Sequence, residues 1–475
     1  MSAVDREALR DTAKYLRRAR PVDPDEIFEY LPDQPHPAVV RRALREEAYD
    51  LGLFERDDGT FVPANDDPVD PPGWQPSAFP ERYAHAFEDL LVERFGREWA
   101  TGDSGDELRD VIRRMKEDYY RGRDVEYDAD AALGYGVYHL PDFYAAVGYV
   151  LDTLAERGLL PRQLRVLDVG AGVGGPMLGV HDYLPDDALV DYHAVEPSAN
   201  ADVFDRLADE TRRNVRTTTH RTTAEAFDPE SVGAVDLVLF GNVLSELDDP
   251  EAVVETYLDA MADDGACVLL APADLNTSTQ LRSVERSVAP PDGDVTVYAP
   301  DLRLWPGEEP SDRGWSFDDR PALETPGFQR RLDDAADRRH DEEPGAFCNT
   351  DVKFSYAVLR TDGERRVPIV ASGERHAKLA NSEAHVTDRV NLLAVKLSQN
   401  LASGDANPLF KVGDGSERLE HYAVLTGESS LNRDLSEAPY GAVLQFENVL
   451  VLWNDDEGAY NLVCEKETVV DALVP

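Results

Sequence analysis

The sequence predicts an α/β fold with a doubly wound, Rossmann-like sheet, a helical N-terminal region and a C-terminal β-barrel. Three observations predict this class. A glycine-rich turn follows a short apolar segment within residues 164–175. Strand-like and helix-like segments then alternate to about residue 271, which is typical of a parallel sheet. Residues 386–475 instead carry five strand-like segments with one short helical segment between the third and fourth, which is the order of an OB-fold.

The acidic composition indicates the salt conditions in which the protein works and says little about its binding partner. The 475 residues, enough for about three domains, hold 94 Asp and Glu against 48 Lys and Arg, a net charge of -46. The acids are spread along the chain, as in cytosolic proteins of extreme halophiles, where molar salt reduces the Debye length to ~3 Å. Three cysteines are too few for a disulfide framework. Without a signal pattern or a long apolar run, we expect a cytoplasmic protein that binds no membrane.

Residues 1–62 predict a winged helix-turn-helix. Three segments have helical periodicity, and two short strands then flank a turn at Asp57-Asp58-Gly59. The helical segments are 5–19, 25–30 and 37–51. The third helix carries Arg41, Arg42 and Arg45 in an otherwise acidic chain. Two interpretations stay open: this helix contacts nucleic acid, or the winged helix docks on protein or is purely structural.

Residues 63–160 predict a linker followed by a helical lid region. Six prolines within 63–80 predict an extended connection. Helices are expected over 83–95, 107–120 and 140–156, with a loop before the last one. An aromatic cluster near that loop, Tyr135, Tyr138 and Tyr144, is placed either to cover a cofactor or to pack in the core.

The glycine-rich turn predicts the cofactor. Asp168 precedes Gly170, Gly172 and Gly174, which let the backbone turn sharply and approach a ligand. The same stretch also fits the dinucleotide pattern G-x-G-x-x-G. S-adenosylmethionine (SAM) carries an ammonium and a sulfonium, and a carboxylate at the strand end favours such a cation. Asp168 therefore favours SAM over a dinucleotide or a turn that binds nothing.

Further polar residues follow the next strands of the predicted sheet. Glu196 ends the second strand, 22 residues after Gly174, and is placed to accept both ribose hydroxyls. Glu225 is expected near the adenine. Asn242 follows the fourth strand, 235–240, as a further cofactor contact. The Asn/Asp-Pro-Pro-aromatic turn of amino-methylating enzymes is missing there, so Asn242 and Glu246 are weak catalytic candidates. Proximity and alignment alone can support methyl transfer.

The rest of the chain completes two domains. The methyltransferase-like domain is predicted over 161–366, with an insertion at 286–350. The barrel, 386–475, is predicted to bind a nucleic-acid strand by stacking and basic contacts. Its candidate contacts are Lys396, Lys411, Phe410 and Trp453. The alternative is a barrel that docks on protein.

Several motifs over about 119–360 resemble one family. The sequence is similar to the methyltransferase-like proteins associated with assembly of the mitochondrial small ribosomal subunit (Rsm-type proteins), which have archaeal relatives. The most specific of these motifs are Ser245-Glu246-Leu247 and Phe354-Ser355-Tyr356. The motifs lie at 119–123, 140–144, 167–172, 242–247, 297–300 and 353–360. The resemblance implies a SAM-type fold that works on, or docks to, small-subunit ribosomal RNA.

The sequence departs from that family after Pro300. The family tends to carry several cysteines there, which hold an iron–sulfur cluster, whereas Asp301 follows here and Cys348 is the single cysteine of the region. Because such clusters need four thiolates, we expect no iron–sulfur cluster. Three hypotheses follow: a SAM-dependent RNA methyltransferase, a non-catalytic RNA-binding assembly factor, and a DNA-binding protein that uses the winged helix and the barrel.

Overall fold

The computed structural model describes residues 4–32, 34–121, 123, 127–309, 315–337 and 343–473. Contacts divide the chain into two compact units, Met1–Leu237 with Thr325–Asn349, and Val238–Glu324 with Thr350–Pro475. Parts of two predicted features lie outside the described residues: Gly122 of the family resemblance, and 310–314 and 338–342 of the insertion. No helix within the described ranges is long and apolar enough to cross a membrane.

The first unit begins with the predicted winged helix. Its elements are α1 (Arg6–Leu16), α2 (Pro24–Ile27), α3 (Pro37–Glu46), α4 (Ala48–Leu51), β1 (Leu53–Glu55) and β2 (Phe61–Pro63). Asp5 and Asp23 cap the first two helices with their carboxylates. Val22 pairs with Phe61 and adds a bridge to the β1–β2 hairpin. A single apolar core, which includes Leu9, Val40 and Phe61, holds these elements together.

The winged helix packs on the α/β part of its own unit. The elements that follow it are α5 (Glu81–Phe95), α6 (Gly102–Tyr120), α7 (Ala129–Ala155), β3 (Gln163–Val169), α8 (Gly175–Tyr183), β4 (Leu189–Val195), α9 (Asn200–Ala208) and β5 (Val215–His220). The Tyr49 hydroxyl donates to Asp236 at 2.7 Å. The backbone of Glu55 exchanges two 2.9 Å hydrogen bonds with the Asn214 side chain. These contacts hold the winged-helix segment against the rest of its own unit.

Two features of 63–160 differ from the prediction. Residues 64–80 lack regular helix, but they are packed on the unit, because the Trp74 indole is 9% exposed and donates to the carbonyl of Ala145 at 2.9 Å. The predicted loop before the last helix is helical, since α7 begins at Ala129 and continues through Pro141. Gly134 and Gly136 suit close helix packing there: a Cβ on Gly136 would lie 2.5 Å from the Phe87 ring.

The central sheet is mixed. In the first unit, β4 lies between β3 and β5, and all three are parallel, as predicted. The next strand, β6 (Val235–Gly241), begins in the first unit and ends in the second. Parallel strands aligned in this way bring their carboxyl ends to one edge, where ligands bind in open α/β sheets.

The second unit continues with antiparallel strands. Its elements after β6 are α10 (Pro250–Leu258), β7 (Met261–Pro272), α11 (Leu275–Val288), β8 (Thr296–Ala299), β9 (Asp318–Arg320) and β10 (Val352–Arg360); α12 (Gly327–Asp334) belongs to the first unit. Strand β10 pairs antiparallel with β7, β8 and β9. Strand β10 is therefore an internal strand, and the predicted insertion at 286–350 supplies two of its partners, β8 and β9.

The C-terminal part of the second unit is a closed barrel. Its elements are β11 (Arg389–Lys396), β12 (Leu409–Gly413), β13 (His421–Leu425), α13 (Asp434–Glu437), β14 (Val443–Asn454), β15 (Ala459–Cys464) and β16 (Val469–Leu473). The strand order β11-β12-β13-β15-β14 closes through a β11–β14 pairing, and β13–β15 is the parallel pair. This confirms the predicted OB-fold. The sequence prediction missed β16, which pairs with β14.

Candidate functional site

The glycine-rich turn joins β3 to α8 in the first unit. Gly170, Gly172 and Gly174 have φ of 67°, 54° and 92°. Residues with a Cβ rarely adopt these values, so the turn depends on glycine at all three positions. The backbone N–H of Gly170 and that of Ala171 both donate to the carbonyl of Val195, at 2.9 and 3.2 Å. The turn is thus fixed to the end of the neighbouring strand.

Asp168 lies fully buried beneath this turn. Its Oδ2 accepts a 2.6 Å hydrogen bond from the Tyr192 hydroxyl, while its Oδ1 is buried and has no hydrogen-bond partner within the described residues. Burial raises the pKa of Asp168 to about 7, although the Tyr192 hydrogen bond opposes that change. A buried carboxylate oxygen without a partner is costly, and a cationic ligand would compensate it.

Glu196 follows β4 and is 6% exposed. One of its carboxylate oxygens accepts the Gly172 N–H at 2.9 Å. The other accepts from the backbone and the hydroxyl of Ser198, at 3.0 and 2.6 Å. Glu196 therefore joins the two loops that follow β3 and β4. A carboxylate has about four lone-pair sites, so these three bonds leave room for a donor such as a ribose hydroxyl.

Three further predicted site residues follow later strands: the cofactor contacts Glu225 and Asn242, and the weak catalytic candidate Glu246. Glu225 is exposed on the first unit. Asn242 belongs to the second unit, where it adopts φ 63° and donates its N–H to Leu270 at 3.0 Å. Glu246 is exposed and ends a short 3-10 helix, Leu244–Glu246. The roles of these three residues stay predictions.

One face of α7 borders the glycine-rich turn, and the sequence predicted only one of its three residues, Tyr135. Tyr135, His139 and Phe143 follow one another at i, i+4 and i+8 with half-buried rings. The imidazole of His139 stacks on Phe143 at 5.0 Å and 16°, and its centroid lies 5.0 Å from that of Tyr135. The predicted cluster also named Tyr144, which is 4% exposed and packs in the core. The four-residue spacing was the signal for His139.

The arginines of α3 contact other residues of the winged helix. Arg45 forms a bidentate ion pair with the buried Glu55, at 2.5 and 2.8 Å. Arg42 is exposed and pairs with Glu46 at 3.0 Å. The guanidinium of Arg41 packs over the turn at Gly59. The proposed nucleic-acid contact through these arginines thus competes with neighbouring carboxylates.

Two predicted contacts of the barrel are wrong, because their side chains are buried. Lys396 has no exposed surface, and its ammonium donates to the carbonyls of Ser436 and Ala438 at 3.2 and 2.6 Å. Phe410 is 3% exposed, and its ring lies 4.6 Å from the Lys396 ammonium. The alternating pattern of the strands did not reveal that a lysine occupies an inward position.

The other two predicted contacts of the barrel are more accessible. Lys411 pairs with Glu420 at 2.7 Å and donates to the carbonyl of Trp315 at 2.8 Å. Trp453 is 38% exposed, stands edge-on to Tyr460 at 4.9 Å and donates to Asp455. Of the four residues, Trp453 alone offers a substantial aromatic surface to a ligand.

No group of three potential metal ligands from His, Cys, Asp and Glu occurs among the residues that the structure describes. Asp301 follows Pro300, at the place where the family that the sequence resembles carries cysteines. Its side chain is 5% exposed, and it belongs to no group of potential metal ligands among the described residues. Its carboxylate instead accepts a 2.6 Å hydrogen bond from Arg365. This position holds a buried ion pair.

Three family models match parts of the chain. Residues 167–267 match a model described as a methyltransferase domain. Residues 6–57 and 380–473 match the N-terminal and C-terminal domains of a domain of unknown function, DUF8157. No curated protein matches the chain. The α/β core thus has a SAM-methyltransferase-like fold, and part of it matches a methyltransferase-domain model. The two flanking matches coincide with the predicted winged helix and the barrel.

Solved structures of methyltransferases resemble the chain distantly. The plantazolicin methyltransferase BpumL in complex with SAH is 12% identical, with 59% of this chain and 99% of that chain covered and a TM-score of 0.31. A SAM-dependent methyltransferase from Clostridium acetobutylicum is 12% identical (37% and 61% covered, TM-score 0.23). The sugar N-methyltransferase KedS8 from Streptoalloteichus is 20% identical (26% and 47% covered, TM-score 0.21).

Proposed function

We propose that this chain is a SAM-dependent methyltransferase that binds SAM at the turn between β3 and α8 and acts on, or docks to, RNA of the small ribosomal subunit. When bound, SAM supplies a methyl group on a sulfonium. The chain's own task is to hold the cation, fix its orientation and present the nucleophile in line.

The observation that carries the proposal is the unpaired Oδ1 of buried Asp168. Tyr192 satisfies one carboxylate oxygen and leaves the other without a partner within the described residues. The α-ammonium of SAM is a suitable partner, because a charge-assisted hydrogen bond in a buried site offsets the cost of desolvating the carboxylate. The three glycines above Asp168 allow the ligand to approach the backbone closely.

Glu196 supports a nucleoside ligand at the same place. Its carboxylate ties the glycine-rich turn to the loop after β4 through Gly172 and Ser198. This fixes an acceptor beside the turn, where one hydroxyl of a ribose can donate to its remaining lone pair. The protein would therefore recognise both the amino-acid end and the sugar of SAM from two adjacent loops.

Support for an RNA partner comes from the barrel. OB-folds bind single strands by stacking bases on aromatic side chains, and Trp453 offers such a surface. Residues 386–475 contain 15 acidic and 6 basic residues, so attraction to phosphates would be weak. Binding would depend on stacking and hydrogen bonds. DNA is the less favoured partner, since Arg42 and Arg45 of α3 already pair with glutamates.

Calorimetric titration with S-adenosylhomocysteine (SAH) tests the cofactor. We expect binding to the wild-type chain, at least about tenfold weaker binding to Asp168→Asn, and unchanged binding to Asp209→Asn, an exposed carboxylate at the end of α9. Absence of SAH binding in both dilute and molar KCl would remove the enzyme and leave the non-catalytic RNA-binding alternative.

Cross-linking in native lysate, followed by sequencing of the attached nucleic acid, tests the partner. We expect fragments of small-subunit ribosomal RNA, and we expect tritium from methyl-labelled SAM to enter that RNA. Cross-links without label would favour a non-catalytic assembly factor. Enrichment of chromosomal DNA would contradict the proposed partner.

A further inference from the structure

The face of α7 that borders the glycine-rich turn carries a polar group between its aromatic rings. The Tyr135 ring lies 3.7 Å from the position of a Cβ on Gly172, and the Phe143 side chain lies 2.9 Å from that on Gly175. His139 stands between these two residues at four-residue spacing. Because residues at i, i+4 and i+8 share a helix face, His139 belongs to the face that meets the turn.

The imidazole of His139 is held by two polar neighbours on one side. Its Nδ1 lies 3.5 Å from the amide nitrogen of Asn349 and 3.6 Å from Oδ2 of Asp142. Asn349 also donates to Asp142 at 3.0 Å. Nε2 makes no hydrogen bond with any residue that the structure describes. The imidazole is 31% exposed, so Nε2 can reach a ligand.

The state of Nδ1 determines what Nε2 offers. If Nδ1 accepts the Asn349 amide proton, the ring proton of a neutral imidazole lies on Nε2. The Asn349 amide nitrogen can only donate, and it faces Nδ1 at 3.5 Å. With the tautomer that this contact favours, Nε2 is a hydrogen-bond donor. An anion is the matching ligand.

We infer that His139 binds the carboxylate of the amino-acid end of the methyl donor, opposite Asp168, which binds its ammonium. This inference rests on the proposed function. SAM and SAH both carry an α-carboxylate beside the α-ammonium, and a buried carboxylate needs a donor or a cation. Asp168 and Glu196 are acidic and cannot bind this carboxylate.

Few side chains near the turn can bind the carboxylate of the ligand. The turn itself, α7 and α8 contain two basic residues, His139 and His181. His181 is 4% exposed, and both of its nitrogens are engaged: Nδ1 with Tyr83 and Asp182, and Nε2 with Arg212. His139 is therefore the basic residue of these elements that retains an available donor.

Three ligands separate the contacts of the amino-acid end. SAH carries the ammonium and the carboxylate, S-adenosyl-3-thiopropylamine keeps the amine and lacks the carboxylate, and 5′-methylthioadenosine lacks both. Calorimetric titration of the full-length chain with each ligand uses the wild type, His139→Ala, Asp168→Asn and His85→Ala. His85 is an exposed histidine of α5 and serves as the matched control.

We expect His139→Ala to weaken SAH about tenfold or more and to leave the other two ligands within twofold of wild type. Asp168→Asn should weaken SAH and the amine but not 5′-methylthioadenosine, whose binding also reports that each variant is folded. His85→Ala should match wild type. Equal SAH affinity of His139→Ala and wild type would overturn the inference while Asp168→Asn still tests the cofactor site. Equal losses for all three ligands would overturn it as well, because the defect would then be structural.

Discussion

The Tyr192 hydroxyl lies 2.6 Å from Oδ2 of Asp168, and both side chains are buried beneath the glycine-rich turn. The hydrogen bond favours the ionised carboxylate, while burial opposes it, and the pKa of Asp168 settles at about 7. The pKa of Tyr192 is raised well above its ordinary value by the burial of its own hydroxyl and then by the charge of Asp168 and the hydrogen bond to it. A group that is half ionised near neutrality makes both ligand affinity and stability depend on pH.

Affinity for SAH should rise with pH through neutrality. The ammonium of the ligand needs the ionised form of Asp168, and below the pKa of about 7 a proton must first leave. We expect SAH to bind about tenfold more weakly at pH 6 than at pH 8, because each pH unit below the pKa costs a factor of ten. Calorimetry at both values measures this. In Asp168→Asn the dependence should vanish; its persistence there would assign it to another group.

Removing the Tyr192 hydroxyl should shift this dependence. In Tyr192→Phe the carboxylate of Asp168 loses the donor that lowers its pKa, so the pH midpoint of SAH binding should move upward by about one unit, the typical worth of a single hydrogen bond. Affinity at pH 9 should approach that of wild type. A midpoint that stays in place would mean that Tyr192 does not tune Asp168.

Asp168→Asn should stabilise the ligand-free protein above neutral pH. The folded pKa of about 7 exceeds the ordinary value near 3.9. Folding is therefore favoured at acid pH, and that advantage is lost progressively as pH rises from about 4 to about 7. At pH 8 the variant should gain about 4 kcal/mol of unfolding free energy, because about three pKa units are lost at about 1.4 kcal/mol each. At pH 5 it should gain about 1.5 kcal/mol, and denaturant titration measures both. Equal gains at both values, or a gain in the control Asp209→Asn, would contradict this linkage.

Lys396→Met should destabilise the barrel. The Lys396 ammonium satisfies the carbonyls of Ser436 and Ala438, which join α13 to β11. Leaving these acceptors unpaired should cost about 2–3 kcal/mol, whereas the exposed Lys466→Met should cost almost nothing. Burial lowers the pKa of Lys396 to about 8, so a penalty for its charge is present below pH 8 and is relieved as pH rises. The wild type should thus gain stability from pH 8 to 10, and the variant should not.

RNA binding, if the barrel provides it, should depend on Trp453 more than on Lys411. The indole of Trp453 is 38% exposed, whereas Lys411 is already paired with Glu420. Stacking contributes about 1–3 kcal/mol per base, so Trp453→Ala should weaken a single-stranded RNA about tenfold and Lys411→Ala less than threefold. Fluorescence anisotropy in molar KCl, where counterion release contributes little, measures both. The reverse order would contradict a stacking surface.

The sequence predicted the elements that local patterns specify. The glycine-rich turn requires positive φ at three positions, a conformation that only glycine adopts readily. The turn before α8 could therefore be predicted from the sequence. The five strands and the short helix of the barrel followed from alternation and turn residues. The predicted fourth strand, 235–240, agrees with β6 to within one residue, because apolar periodicity and turn residues are local properties of the sequence.

Contacts between distant segments were decided only by the tertiary structure. Residues 132–141 contain glycine and proline and read as a loop, yet α7 continues through them because Gly134 and Gly136 lie against neighbouring helices. Lys396 alternates like a surface residue, but its ammonium donates hydrogen bonds to two carbonyls that lie 40 and 42 residues away in the sequence. Sequence alone placed Asp168 at the end of a strand. That Tyr192 satisfies one of its oxygens and burial isolates the other depends on strand pairing, because hydrogen bonding and desolvation arise only where the folded chain brings separate residues together.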